Sequence, residues 1–248
     1  MKRAQRVLVV DIGGTNVKIL ATGQTAPRRF PSGPRMRPKQ MVAGVRKLAA
    51  DWDYDLVSIG YPGVVAKGRI VAEPHNLGPG WRRFDFEKAF ARPVRIINDA
   101  AMQALGSYRG GTMLFLGLGT GLGSALIVNG TVVPMELAHL PWGESTYEGY
   151  LGVRGLEKFG KSAWRKNVAN VVKRFVSALL LDDVVLGGGN AKKLTKLPPG
   201  CRLGDNSLAF LGGYRLWEPA PGGRPPGAPA IPGVAARKAG KTRRNTRR

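Results

Sequence analysis

Three observations on this sequence predict an α/β protein with mixed sheets. Short β-branched runs recur at 7–12, 17–21, 56–61, 94–97, 113–118, 124–128, 131–133 and 183–186. Stretches with helical periodicity fall between them, as in proteins that alternate strands and helices. Two hairpin signals show that the sheets are not all parallel.

Taken in order, the first run ends in Asp11 and turns through Gly13-Gly14 into the second. Residues 25–39 hold four prolines and five cations, which predicts an exposed basic loop or sheet edge. A short helix is expected over 40–50. Residues 64–70 around Lys67-Gly68 give the weaker hairpin signal, and 100–107 a second short helix. The stronger hairpin is Leu126-Ile127-Val128-Asn129-Gly130-Thr131-Val132-Val133, because both residues of an Asn-Gly turn accept positive φ. Over 161–181, Trp164, Val168, Val171, Val172, Phe175 and Leu179 share one helical face. Residues 219–248 carry almost no large apolar side chain, so burial cannot offset their ordering entropy and disorder is expected. No repeat of fixed period is present.

The chain has 248 residues, with 39 Lys plus Arg against 16 Asp plus Glu, a formal charge of +23. Residues 219–248 contribute eight cations and no acid, which leaves +15 on residues 1–218. Such a balance points to polyanionic partners or to simple solubility. The single cysteine, Cys201, excludes an intrachain disulfide framework and fits a cytoplasmic setting. No apolar run reaches membrane-spanning length, and the start is too short in apolar residues for a signal peptide.

Chemistry concentrates in glycine-rich turns at strand ends. In Asp11-Ile12-Gly13-Gly14-Thr15-Asn16-Val17-Lys18, glycine lets backbone N–H groups approach an anion without a Cβ in the way. Thr15 adds a hydroxyl and Lys18 a cation, and Asp11 can hold a hydrated Mg²⁺. A capping Asp in an ordinary tight turn explains the same residues. The second turn, Gly117-Leu118-Gly119-Thr120-Gly121-Leu122-Gly123, leads into a strand and lacks the dinucleotide-binding spacing. The third is Gly187-Gly188-Gly189. Three such turns together point to a nucleotide or phosphate site. Between the first two, Asn98-Asp99 ends a strand and begins a helix. Asp99 reads either as a helix N-cap or as a general base.

In this order, Asp11–Lys18, Asn98-Asp99, 116–123 and 187–189 resemble the ROK sugar kinases of the actin-like ATPase superfamily. Glu136-Leu137-Ala138-His139 is similar to that family's Glu-x-Gly-His signature, with Ala138 in place of Gly. Residues 59–65 and 123–134 resemble its polyphosphate glucokinase branch. The resemblance spans about 6–218. It implies a two-lobed actin-like (ribonuclease H-like) fold with mixed sheets and a central cleft. The lobes would be 1–109 and 110–218, followed by the basic tail 219–248. It further implies that Asp11, Gly13, Gly14, Thr15 and Lys18 face the donor phosphates from one lobe. Gly119, Thr120 and Gly121 would face them from the other, and Gly187, Gly188 and Gly189 would lie near the donor's far end. Asp99 would be the base acting on the 6-hydroxyl of glucose, with Asn76, Asn98, Glu136 and His139 on the sugar and Mg²⁺ held through water by Asp11. ROK relatives are often dimers, so a homodimer is compatible.

Departures from the family matter as well. Most members follow the His with a Cys-rich zinc cluster, whereas Cys201 lies far downstream, so no zinc is expected. His139 is then a sugar partner or a satisfied histidine, and His75 reads as loop structure. The strand starting near residue 6 leaves no room for the helix-turn-helix domain of ROK repressors. The donor is ATP, polyphosphate or both. Lys192, Lys193, Lys196, Lys161, Arg165 and Lys166 are candidate cations for a long donor, or simply solvated faces. Alternatives are an ATP-only kinase for another hexose and an idle sugar- or polyanion-binding protein. The tail is expected to make only non-specific polyanion contacts.

Overall fold

Val7–Ile12 forms the first strand, β1, and its apolar side chains serve two cores at once. Leu8, Val10 and Ile12 face one layer, while Val7 and Val9 face another, as strand alternation requires when both faces are covered. The computed structural model describes residues 5–218. The expected disorder of 219–248 lies outside the described residues.

The first half comprises β1, β2 (Asn16–Ala21), β3 (Arg28–Pro31), α1 (Pro38–Leu48), β4 (Leu56–Tyr61), the ribbon β5 (Val65–Ala66) and β6 (Arg69–Ile70), α2 (Phe86–Phe90), β7 (Val94–Asn98) and α3 (Asp99–Ser107). The second comprises β8 (Thr112–Leu118), β9 (Leu122–Val128), β10 (Thr131–Pro134), the ribbon β11 (Pro141–Trp142) and β12 (Ser145–Thr146), α4 (Tyr147–Leu151), α5 (Val153–Leu179), β13 (Asp183–Gly187), β14 (Cys201–Leu203) and α6 (Leu208–Arg215).

Each half builds a five-stranded mixed sheet. The orders are β3-β2-β1-β4-β7 and β10-β9-β8-β13-β14. In each, the leading strand pairs antiparallel with the next and parallel with a later one. The basic 25–39 stretch supplies β3 at a sheet edge, one of the two forms expected of it. Both hairpin turns take the expected conformation, with φ of 51° at Lys67 and 48° at Asn129, each followed by a positive-φ glycine.

One face of each sheet carries its own core. Trp164, Val168, Val171, Val172 and Phe175 of α5 pack against Leu114, Leu116 and Leu118. The opposite faces share a layer made by α3 and α6. Met113 and Phe115 of β8 meet Ala101, Ala104 and Leu105 of α3. Val7 and Val9 of β1 meet Ala209 and Phe210 of α6. The last helix therefore returns to the first sheet, although it lies in the 110–218 stretch. Its glycines make this possible: a Cβ on Gly106 would strike the backbone of Leu208, and one on Gly212 that of Met102. The two helices cross at a distance that no larger residue permits.

α5 joins two helical stretches across Gly160, where φ is 73°; the second begins at 161, as expected, and ends at Leu179. Residues 155–162 spell Gly-x-x-x-x-Gly-Lys-Ser, the order of a phosphate-binding P-loop. They lie within α5, not between a strand and a helix, so they do not form that loop. Among the described residues no helix is long and apolar enough to cross a membrane.

Candidate active site

Where the two halves face each other, a cavity of about 450 Å³ opens. The end of β1, the end of β7, the turn after β8 and the turn after β13 all reach its wall. Asp11, Gly13, Gly14, Lys18, Asn76, Asn98 and Asp99 line it from the first half. Gly119, Thr120, Gly121, Glu136, His139 and Gly188 line it from the second. Thr15, Gly187 and Gly189 are not on the wall. The Thr15 carbonyl accepts a bond from the Ser32 N–H, Gly187 is buried at the end of β13, and Gly189 is exposed.

Asn98, not Asp99, caps helix α3: its side-chain oxygen accepts from the Ala101 N–H at 3.1 Å. Its amide group donates to the Gly63 carbonyl at 3.0 Å. That leaves Asn98 one free N–H for any ligand. Asp99 is the first helical residue, and one of its oxygens accepts from the Ala100 N–H at 2.8 Å. Burial raises the Asp99 carboxyl, and the nearby charges of Asp11 and Glu136 raise it further, to about 7. A carboxyl of that pKa exchanges protons near neutral pH, which suits a general base.

The Asp11 carboxylate lies 3.6 Å from the Lys18 ammonium, with its side chain 17% exposed. Burial pushes its carboxyl up, and Lys18 pulls it back in part. Among the described residues no three His, Cys, Asp or Glu side chains gather to hold a metal ion. One carboxylate beside a glycine turn fits a Mg²⁺ that keeps its waters and takes phosphate oxygens as further ligands, since Mg²⁺ dehydrates reluctantly.

In the second half the turns are fixed by backbone contacts. The Asn190 N–H donates to the Leu118 carbonyl at 2.8 Å, and its side-chain amide to the Gly119 carbonyl at 3.0 Å. The Gly119 N–H bonds the Gly121 carbonyl at 3.1 Å. Gly188 is obligatory there: φ is 80°, and a Cβ would stand 2.5 Å from the Leu118 carbonyl oxygen. Two of the candidate donor cations are tied nearby. Arg165 donates to the Lys193 carbonyl at 2.7 Å, and the Lys193 ammonium to the Asn190 side chain at 2.8 Å.

His139 and Glu136 stand 3.7 Å apart at the open side, the histidine side chain 70% exposed. Glu136 precedes and His139 ends a single 3₁₀ turn, Leu137–His139. That turn is held because Ser124 accepts from the Leu137 N–H and donates to the Met135 carbonyl.

Sequence reasoning missed several wall residues. Glu148 reaches the cavity and accepts from the Leu122 N–H at 3.2 Å. Glu73 and His75 also line it. Burial pushes the Glu73 carboxyl up, but three N–H groups, from Trp81, Arg82 and Gly80, together with the Arg82 charge, outweigh it and hold it below the usual range. Gln103 and Asn206 meet at 2.7 Å on the same wall. No local motif announces them.

Comparison with known proteins bears on the family and the fold. The ROK family model matches residues 7–134. Over 215 residues the chain is 29% identical to the polyphosphate glucokinase of Mycobacterium leprae (strain TN), covering 77% of this chain and 65% of that protein's length. The polyphosphate glucokinase of Mycobacterium tuberculosis (strain ATCC 25618 / H37Rv) is also 29% identical, with 77% and 80% covered. The crystal structure of an inorganic polyphosphate/ATP-glucomannokinase from Arthrobacter sp. strain KM superposes with a TM-score of 0.71. It is 23% identical, and 84% of this chain and 96% of that one are covered. The fold is thus the mixed-sheet, two-lobed actin-like ATPase fold.

Proposed function

The chain belongs to the ROK family, and on that premise we propose that it is a sugar kinase moving a phosphoryl group from polyphosphate or ATP to the 6-hydroxyl of glucose. The observation that carries this reading is Asp99: a carboxyl raised to about 7 that shares one cavity with the glycine turns at 13–14, 119–121 and 188. The mycobacterial relatives' names support glucose as acceptor and polyphosphate as donor.

Phosphoryl transfer demands positioning and electrostatic relief more than covalent chemistry. Glucose lies against Asn76, Asn98, Glu136 and His139, with Glu148 as a further acceptor on the same wall. Asp99 accepts the proton of the 6-hydroxyl as the hydroxyl oxygen bonds to phosphorus. The phosphorus–oxygen bond to the rest of the donor breaks, releasing ADP or a polyphosphate one unit shorter. The donor phosphates rest between Gly13-Gly14 with Lys18 and the turns at Gly119-Thr120-Gly121 and Gly188. Mg²⁺, held through water by Asp11, would offset phosphate charge when bound. The segments 1–109 and 110–218 act as lobes that close and exclude water, which suppresses donor hydrolysis. The setting is the cytoplasm.

Formation of glucose 6-phosphate in a coupled assay tests the reading, with ATP and polyphosphate as separate donors and Mg²⁺ present or chelated. Transfer with at least one donor, dependent on Mg²⁺, is expected. No transfer to glucose from either donor would overturn it.

A further inference from the structure

A second cavity, of about 800 Å³, is bounded by the β5–β6 ribbon, residues 81–87, β7, β10 and Leu216. β7 is the outermost strand of the first sheet and β10 that of the second. The groove thus brings two sheet edges together, and a free edge is a template for a further strand.

Ladder geometry fixes which backbone groups these edges carry. Val57 lies opposite Val94, and its N–H donates to the Pro93 carbonyl at 3.0 Å. In a parallel ladder Arg95 and Ile97 then serve β4, and the backbone groups of Val94 and Ile96 point the other way. Glu87 takes the Val94 N–H at 3.3 Å. The Ile96 N–H and carbonyl have no partner among the described residues. In β10 the two-residue Asn129-Gly130 turn makes Val128 and Thr131 a hydrogen-bonded pair. Val132, opposite Ile127, therefore turns its own backbone groups outward. Both Ile96 and Val132 line the groove.

The rim is cationic. Lys67, Arg69 and Arg83 are exposed and take part in no ion pair among the described residues. The acids beside them are committed, Asp85 to the Lys88 N–H at 2.9 Å and Glu87 to Val94. A second copy of this chain, at +23, is a poor occupant. The floor is apolar. Val65, Ile70, Trp81 and Phe86 are buried there, and the partly buried Phe84 ring stands edge-on to Phe86 at 4.8 Å. Phe84 can pack an apolar side chain or stack on a base. The unpaired backbone favours the first. A free N–H and carbonyl on one strand residue are what a peptide backbone complements, whereas nucleic acid is held through its phosphates and needs neither. We propose that this groove takes an extended acidic segment of a partner protein, added as a strand to the free edge of β7, with carboxylates against Lys67, Arg69 and Arg83. Such a site is independent of the sugar-kinase reading.

The probe is a capped, fluorescent eight-residue peptide alternating Glu and Val, titrated into the full chain by anisotropy. Saturable binding is expected. The same peptide methylated at its backbone nitrogens keeps its charge but loses its donors, and should bind roughly tenfold or more weakly. Amide exchange at Ile96 should slow about tenfold or more in the complex. Lys67→Asn/Arg69→Gln/Arg83→Gln should weaken binding about tenfold through three exposed charge pairs. Asn suits the positive φ at position 67, and an unchanged urea midpoint reports an intact fold. Should that variant not fold, the peptide pair and the Ile96 amide decide on the parent alone. No saturation by roughly millimolar peptide, equal affinity of the methylated form, unchanged affinity of the folded variant or an unaltered Ile96 amide overturns the proposal. So does oligothymidylate of equal charge binding as tightly, or exchange slowed at Val132 alone. Slowed exchange at Ile96 on concentrating the protein without peptide would give the edge to a second copy and overturn it too.

Discussion

The two halves repeat one strand order, yet they bring different chemistry to the cavity between them. The first delivers side chains: Asp11 and Lys18 from the β1–β2 turn, Asn98 and Asp99 from the β7–α3 junction. The second delivers mostly backbone, in turns whose glycines and Asn190 lock one against another. Side chains can hold and move a proton, whereas fixed N–H groups can only meet charge already present. Changes at Asp99 should therefore act on turnover, and changes in the glycine turns of the second half on donor binding.

The largest expected effect comes from Asp99→Asn, which removes the base while keeping shape. Turnover should fall by roughly 10²-fold or more with glucose affinity retained, as read by kinetics beside equilibrium glucose titration. The fold should be at least as stable at pH 8, checked by urea unfolding. A carboxyl raised in the folded state costs stability once ionised, and that cost grows from the ordinary carboxylate range up to about pH 7. Near-parental turnover in this variant would erase the difference between the halves.

Gly188→Ala probes the second half. An L side chain at φ 80°, set against the Leu118 carbonyl, should destabilise the chain by about 1–3 kcal/mol. It should raise the donor KM about tenfold while leaving the glucose KM near the parent's, because the strain stays in the donor turns. Equal changes in both constants would show that the turns do not act separately. The smallest effect is expected from deleting 219–248, which should leave turnover with ATP unchanged. A fall in ATP turnover would place that segment in the catalytic machinery.

How much of this was legible in the sequence follows from where each signal resides. Buried parallel strands such as Leu56–Tyr61 announce themselves as apolar runs, and Asn129-Gly130 announces its turn. Helix α6 does not: Gly212-Gly213 lowers its propensity and reads as a turn, yet those glycines permit the crossing with α3. β14, a three-residue strand after Pro198-Pro199-Gly200, is set by pairing with β13 and not by its own pattern. In the cavity, the motif residues at strand ends were readable because glycine turns carry a local signature. Glu148 and Asn190 were not, since a long-range contact to a turn backbone leaves no trace in spacing. Of the two roles the sequence offers Asp99, the N-cap belongs to the residue before it. Asn98 fills it, and Asp99 follows as the first helical residue with its carboxyl on the cavity wall.

The central claim is that Asp99 takes the proton from the sugar hydroxyl, and the pH dependence of kcat/KM for glucose tests it most directly. In the parent it should fall about tenfold per unit below roughly pH 7, as the carboxyl raised by burial, Asp11 and Glu136 becomes protonated. In Asp99→Asn the residual activity should lose that limb. The same acid limb in both proteins would contradict the assignment.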